Sequence, residues 1–399
     1  MNPLFLQAIP LLEEIEAAGY EAYFVGGAVR DTLLHRPIND VDIATSATPD
    51  ELKQIFPNTV DVGIEHGTIL VLYNGGRFEI TTFRAESAYK DHRRPDEVYF
   101  IRSLKEDLNR RDFTMNAIAM NKKGELSDPF HGQQAIVERR IETVGKAEER
   151  FSEDALRMMR AIRFVSQLSF SLDKSCIQAL EKMGFLLEHI AVERKSAEFE
   201  KLLAGKNRIN AVDLLCKLKL DQYLPGLKPL TTKISNLCQY QCEDLDIDEL
   251  WVLLLYSVKI KAENIDRFLR NWKLPIKRIR KIQEMTQWVH HRFVEKWDPT
   301  SLYDAGKQMV TSSEKVYKVI NQQDNGPDIY ELLVRYDALP IKSRSELEVS
   351  GKDLMTILDR QAGPWIKEVL RTIELAILNE DLENKREIIR EWVLSCNLK

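Results

Sequence analysis

Tyr23-Phe24-Val25-Gly26-Gly27-Ala28-Val29-Arg30 reads as a short buried strand that passes through two glycines into a helix over 28–34. Consecutive apolar and aromatic residues suit a strand covered on both faces. Glycine lets a phosphate approach the backbone, and N–H groups at a helix N-terminus attract anions. Arg30 adds a forked, permanently charged donor. Paired glycines also serve ordinary tight turns, so the stretch gains its weight from two acids downstream. Ten residues on, Asp40-Val41-Asp42 sets these two carboxylates two positions apart in an apolar run.

In a strand, residues i and i+2 point to one face. Asp40 and Asp42 are therefore expected side by side, roughly 7 Å apart at Cα from a rise of ~3.3 Å per residue. Such carboxylates repel unless a cation joins them. Mg²⁺ takes oxygen ligands, commonly one or two carboxylates plus substrate phosphates. Alone, Asp-X-Asp more often marks a strand edge or a helix cap; the strand–glycine–helix unit upstream turns it towards a nucleotide and metal site. Glu79, in the run 78–83, is a candidate third catalytic carboxylate from a neighbouring strand. An alternating strand also places acids on its solvent face, and both interpretations of Glu79 stand.

The 399 residues allow two to four domains. A formal net charge of −5 argues against coating nucleic acid by bulk charge and leaves room for a local basic groove. Five scattered cysteines suggest reduced thiols in a cytosolic protein. Cys238 and Cys242 have a CxxxC spacing, but no second pair or nearby histidine completes a zinc site. The most apolar run, 251–258, is far short of the ~20 residues that span a bilayer. Nothing at the N-terminus looks like a signal peptide, and a cytoplasmic location is expected.

Composition changes near residue 150. Ten of the seventeen glycines precede it. Short β-rich runs at 22–25, 41–44, 68–73 and 78–83 alternate there with helical patterns at 4–18 and 49–56, the mark of an α/β domain. Beyond Glu148 the pattern is helical almost throughout, with a helix start expected at Ser152-Glu153-Asp154. Asp154, Arg157, Arg160 and Arg163 then recur every three residues, which on one helix gives a slowly winding polar stripe. The stripe suits a solvated face with an Asp–Arg ion pair. It also suits a base reader. Cytosine and adenine both present an amino donor beside an unprotonated ring nitrogen, so a carboxylate and an arginine pair with either. Uracil and guanine present the reverse polarity, and each mismatched contact costs about 1–3 kcal/mol.

These motifs resemble those of class II tRNA nucleotidyltransferases, the CCA-adding enzymes of the polymerase-β superfamily. The resemblance is carried in order by Gly26-Gly27-Ala28-Val29-Arg30, Asp40-Val41-Asp42, Arg110-Arg111-Asp112-Phe113-Thr114-Met115-Asn116-Ala117, Glu153-Asp154-Ala155-Leu156-Arg157 and Val192-Glu193-Arg194. It runs from about Tyr23 to Leu203 and weakens towards the C-terminus. It implies an α/β nucleotidyltransferase head, a mixed sheet flanked by helices, followed by all-α neck, body and tail domains. The expected boundaries are 1–138, 139–204, 205–295 and 296–399. It implies that Asp40 and Asp42 bind Mg²⁺, and that Gly26, Gly27, Arg30 and Arg111 meet the nucleotide, chiefly at its triphosphate. Asp154 and Arg157 would read the base, Arg160 and Arg163 would complete the pocket, and Asp112 and Asn116 would support it near the ribose. The segment from Arg84 to Val98, with Glu86, Asp91, Arg93 and Arg94, resembles the family's flexible loop that helps switch from CTP to ATP. CC-only relatives typically lack it. Neither the phosphohydrolase domain of some bacterial relatives nor the basic segment of polyadenylating ones is visible.

The expected activity is template-independent addition and repair of the 3′-terminal CCA of tRNA from CTP and ATP, with release of pyrophosphate. The alternative is partial A or CC addition, or a poly(A) polymerase. The expected partner is tRNA lacking all or part of its CCA, handled by a monomer or homodimer without a membrane. A tRNA needs a basic track. Residues 259–281 hold nine Lys and Arg against two acids, with Phe268 and Trp272 interleaved. A solvated helical face over core aromatics explains this segment equally well. Lys342, Arg344 and Lys352 form a weaker second candidate.

Overall fold

The computed structural model describes all residues except 87, 88, 91–93, 96, 97, 231–233, 323–327 and 396–399. The chain forms two compact units, one of Met1–Cys238 with Arg270–Lys273 and one of Gln239–Leu269 with Leu274–Lys399. Asp91 and Arg93 of the expected flexible loop lie outside the described residues.

The first unit opens with helix α1 (Pro3–Ala17), capped by the Asn2 side chain at the Leu4 N–H. Phe5, Ala8, Leu11, Leu12 and Ile15 recur at helical spacing and bury one face. A mixed seven-stranded sheet comes next. Its strands are β1 (Ala22–Val25), β2 (Asp42–Thr45), β3 (Thr59–Gly63), β4 (Thr68–Tyr73), β5 (Gly76–Thr82), β6 (Ala119–Met120) and β7 (Leu126–Ser127), in the order β7-β6-β1-β2-β5-β4-β3. Only β2 and β5 pair parallel. The two central strands β1 and β2 bury most of their residues, which is why they read as apolar runs rather than as alternating ones.

Helix α2 (Gly27–Leu33) leaves the end of β1, and α3 (Pro49–Ile55) starts from a Thr48–Glu51 capping box. Further helices are α4 (Leu104–Asn109), α5 (Gly132–Val137), α6 (Ala147–Glu153), α7 (Leu156–Leu168), α8 (Lys174–Met183), α9 (Val192–Leu203) and α10 (Arg208–Lys217). The helix expected to start at Ser152 is in fact two. Ser152 lies inside α6, and Asp154, at φ −132° and ψ 102°, separates α6 from α7. Its side chain accepts from the Leu156 N–H at 3.0 Å, satisfying one of the orphan donors of the new helix. Arginines spaced by three hid the break, because polar periodicity continues across a single extended residue.

The second unit is helical: α11 (Ile247–Ser257), α12 (Ile265–Asn271), α13 (Ile276–Val294), α14 (Pro299–Ile320), α15 (Ile329–Asp337), α16 (Gly351–Leu358), α17 (Trp365–Leu378) and α18 (Arg386–Ser395). The apolar run at 251–258 is the buried side of α11 and its end. Trp297, Leu302, Leu332, Ile373 and Ile389 belong to one core. Beside it a fully buried Glu314 accepts from Arg292 at 2.7 and 3.2 Å and from the Trp297 indole at 2.7 Å. Among the described residues, no helix is long and apolar enough to cross a membrane.

Candidate active site

β1 and β2 run antiparallel with Val25 opposite Asp42, so the turn after β1 lies at the acid-bearing end of β2. Gly26 in that turn takes φ 72° and ψ −138°, which side-chain-bearing residues rarely adopt. A Cβ there would stand 3.3 Å from Asp42 Oδ2 and 3.6 Å from a terminal nitrogen of Arg111. Bare backbone, a carboxylate and a guanidinium therefore converge. Three elements distant in sequence build this one point.

β2 begins at Asp42, and Asp40 precedes it, so the two acids are not the pair of same-face strand residues that their spacing suggests. They still act on each other. Asp42 is exposed, yet protein takes water from one side of its carboxyl. That loss of hydration pushes its pKa above the usual carboxylate range, as do the charges of Asp40 and Glu79, against the pull of Arg111. The parallel register pairs Ile43 with Ile80, which sets Glu79 beside Asp42 on the next strand. Among the described residues, no three of His, Cys, Asp and Glu lie close enough to hold a metal by themselves. Crowded carboxylate oxygens with excess negative charge fit a hard divalent cation whose remaining positions are filled by water and phosphate oxygens.

Arg30 is buried and engaged by protein. It donates to both Asp31 oxygens at 3.0 and 2.9 Å and to Asn116 Oδ1 at 2.7 Å. Asn116 in turn donates to Asp112 Oδ1 at 3.0 Å, and Asp112 Oδ2 accepts from Arg160 at 2.6 and 2.5 Å. This chain of bonds ties α2 to α7 through the Thr114–Asn116 turn. Burial alone would raise the Asp112 carboxyl. The Arg160 charge and the hydrogen bonds outweigh it and hold Asp112 at about 2, an acceptor at any working pH. Arg111 faces the glycine turn because Asp107, buried on α4, accepts from it at 3.1 Å and from Arg110 at 2.8 Å. The same carboxylate accepts from the Arg84 N–H at 3.3 Å.

Asp154 and Arg157 lie in one cluster but do not pair with each other. Asp154 accepts from Arg194 at 3.3 and 2.7 Å. Arg157 donates to Glu153 at 2.8 Å and to the Arg110 carbonyl at 2.9 Å. Arg163 pairs with buried Glu198 at 2.6 Å and donates to Gln167 at 3.0 Å. Its burial pulls the guanidinium down to about 10 in spite of Glu198. Arg194 and Glu198 stand four residues apart on α9, one helical turn, and grip residues at the two ends of the arginine segment.

Sequence alone carried no role for Asp31, Asp107, Glu153, Phe164, Arg194 or Glu198. Asp107 had a local signal, an acid three and four residues before consecutive arginines. Arg194 stood in the Val192-Glu193-Arg194 motif without a partner, and Glu198 had no signal, since their partners lie 40 and 35 residues away.

In the basic stretch 259–281, Phe268 and Trp272 are buried at 5 % and 0 % exposure and offer no stacking surface. Trp272 instead stacks on Phe199 at 4.6 Å. Lys281 and Arg278 pair with Asp248, while Lys259, Lys261, Arg267, Lys273, Lys277 and Arg280 are exposed. Arg344 pairs with Glu374 and Lys342 caps the Leu339 carbonyl, leaving the second candidate patch weak.

Comparison with known proteins shows the family. Residues 22–142 match the family described as the poly A polymerase head domain. Residues 169–231 match a probable RNA- and SrmB-binding site of polymerase A, and residues 245–393 a putative second domain of tRNA nucleotidyltransferase. The CCA-adding enzymes of Bacillus cytotoxicus and Bacillus mycoides are each 48% identical over 395 residues, 99% of this chain and 99% of theirs. The Bacillus stearothermophilus CCA-adding enzyme, solved in complex with CTP, superposes with a TM-score of 0.92 at 44% identity, covering 100% of this chain and 98% of that one.

Proposed function

The chain belongs to the family of CCA-adding enzymes, which are nucleotidyltransferases, and on that premise we propose how its residues divide the work. The activity is template-independent addition and repair of the 3′-terminal CCA of tRNA from CTP and ATP, with release of pyrophosphate. The observation that carries the residue assignment is the convergence of Gly26, Asp42 and Arg111 at the end of β1 and β2.

Asp40 and Asp42 would hold the divalent cation, proposed to be Mg²⁺. When bound, it lowers the pKa of the attacking hydroxyl and neutralises charge on the triphosphate. Glu79 adds negative charge beside Asp42. The Gly26-Gly27 turn admits the phosphates, and Arg111, aimed by Asp107, faces them. The terminal 3′-hydroxyl of tRNA gives up its proton to water and attacks the α-phosphorus, and the bond from that phosphorus to the bridging oxygen breaks as pyrophosphate leaves. Asp154, with lone pairs beyond those given to Arg194, accepts from the amino group of cytosine or adenine. Arg157 donates to the neighbouring ring nitrogen. Asp112, Asn116, Arg30, Arg160 and Arg163 fix the wall between head and neck.

The division into head 1–138, neck 139–204, body 205–295 and tail 296–399 assigns transfer to the first, base choice to the second and the grip on tRNA to the last two. The exposed lysines and arginines of 259–281 are the basic track, now without an aromatic contribution. A cytoplasmic location agrees with a tRNA substrate.

Incubating tRNA that lacks CCA with CTP, ATP or both, then sequencing the 3′ ends, tests the activity. CTP alone gives CC, and both together give CCA with no further growth. Ends that stop at CC with both nucleotides present, or that grow into A tracts, would identify the partial enzyme or the poly(A) polymerase instead. Within the site, Arg194→Ala frees Asp154 to rotate. It is expected to raise KM for CTP and ATP about tenfold, the scale of one charge-assisted hydrogen bond. Steady-state kinetics with each nucleotide checks this, and an unchanged KM would remove Arg194 from the base site.

A further inference from the structure

Phe164 is 2 % exposed, yet its ring is more than core filler. Three guanidinium carbons stand over it, those of Arg163 at 4.1 Å, Arg30 at 5.1 Å and Arg160 at 5.6 Å. Phe113 closes on the ring in a T-shape, with centroids 5.6 Å apart and planes at 87°. The three arginines come from two elements, Arg30 from α2 and the others from α7. Arg30 is bonded to Asp31 and Asn116, Arg160 to Asp112 and Arg163 is paired with Glu198, so their nearest acceptors differ. The ring is a group that all three share.

Like charges this close repel, most strongly where water is excluded. At Arg163 burial is the main cause that lowers the guanidinium, and the charges of Arg160 and Arg30 act in the same direction against the opposing charges of Glu198 and Asp112. The face of an aromatic ring is electronegative and attracts a guanidinium within about 6 Å. A leucine or methionine of similar bulk fills space without that attraction.

We propose that Phe164 is a positioning residue, an aromatic spacer that holds Arg30, Arg160 and Arg163 as one preformed set of guanidinium donors for the incoming nucleotide. The inference rests on the placement of the nucleotide at this wall. It adds that the array is spaced by a ring and not only by carboxylates. The spacer acts on charge rather than on base identity, so CTP and ATP are affected alike.

The test compares Phe164→Leu, Phe164→Tyr and Phe56→Leu in the full-length protein. Phe56→Leu removes a ring that is equally buried but packs on Tyr73, away from the arginines. Phe164→Leu is expected to raise KM for CTP and for ATP about tenfold, with kcat within about threefold, and to weaken binding of inorganic tripolyphosphate by a similar factor in calorimetry. Phe164→Tyr keeps the ring and restores KM to near the wild-type value. Phe56→Leu lowers Tm but leaves KM and tripolyphosphate binding unchanged. Wild-type KM in Phe164→Leu, or the same rise in Phe56→Leu, would overturn the spacer and reduce Phe164 to packing. Failure of the underlying activity would appear separately, as wild-type protein that adds no CCA.

Discussion

Asp42→Asn is expected to yield a folded protein that binds tRNA and adds almost no nucleotide to it. The carboxylate stands at the point where the Gly26 turn and Arg111 converge. Losing one of the two proposed metal ligands would remove several kcal/mol of stabilisation from the transferring phosphate, about a 10³–10⁴-fold loss in rate. Asp40→Ala acts in the same direction. Folding is not expected to suffer, because Asp42 is crowded by Asp40 and Glu79 and the amide relieves that repulsion. A melting temperature equal to or above wild type, with single-turnover addition near background, is the expected pair of readings. This is the usual sign of a residue kept for activity at some cost in stability. Binding of tRNA depends on basic side chains elsewhere and should stay within about twofold. Turnover within tenfold of wild type would remove Asp42 from the catalytic pair.

Much of the head was legible because its signals are local. Tyr23-Phe24-Val25 is apolar without interruption because β1 lies near the middle of the sheet, between β6 and β2. Gly26 is where a positive φ and a close carboxylate exclude a side chain. The spacing singles out Asp40 and Asp42, though the strand starts at the second of them. Glu79 was reached through the alternating run of β5, and its place beside Asp42 comes from a parallel pairing that no local pattern announces.

The hidden part is tertiary. Asp154 carries the same three-residue spacing as the arginines after it, and only its extended backbone shows that it heads a new helix. An intrahelical ion pair with Arg157 was the simplest expectation. The fold instead takes Arg194 from α9 for Asp154 and Glu153 for Arg157. Phe164 looks like one more apolar residue of a helix stripe until Arg30 arrives from α2. For Phe268 and Trp272 the sequence left two readings open, and their burial agrees with the one that put the aromatics in the core. Charge periodicity reports which face is polar but not which partner meets it.

Asp154→Asn is the second large effect, and it concerns choice rather than speed. A carboxylate only accepts hydrogen bonds, whereas an amide both accepts and donates. In the proposed base site Asp154 would oppose the O4 carbonyl of uracil, acceptor to acceptor, and a carboxamide would remove that clash by donating to it. The Arg157 clash with the uracil N3–H remains, so the change is partial. One relieved mismatch of about 1–3 kcal/mol corresponds to a loss of about 10- to 100-fold in the preference for CTP over UTP. The amide also weakens the grip of Arg194, which lowers the rate with CTP modestly.

The central claim is that the glycine turn and the acid pair transfer any nucleotide, while the segment headed by Asp154 decides which one. Single-turnover rates for Asp154→Asn with CTP, UTP, ATP and GTP, each on tRNA ending one step before its addition, test this most directly. UTP and GTP are expected to gain on CTP and ATP by at least about tenfold, while transfer of the best nucleotide stays within about tenfold of wild type. A uniform fall for all four nucleotides, with selectivity unchanged, would contradict the claim.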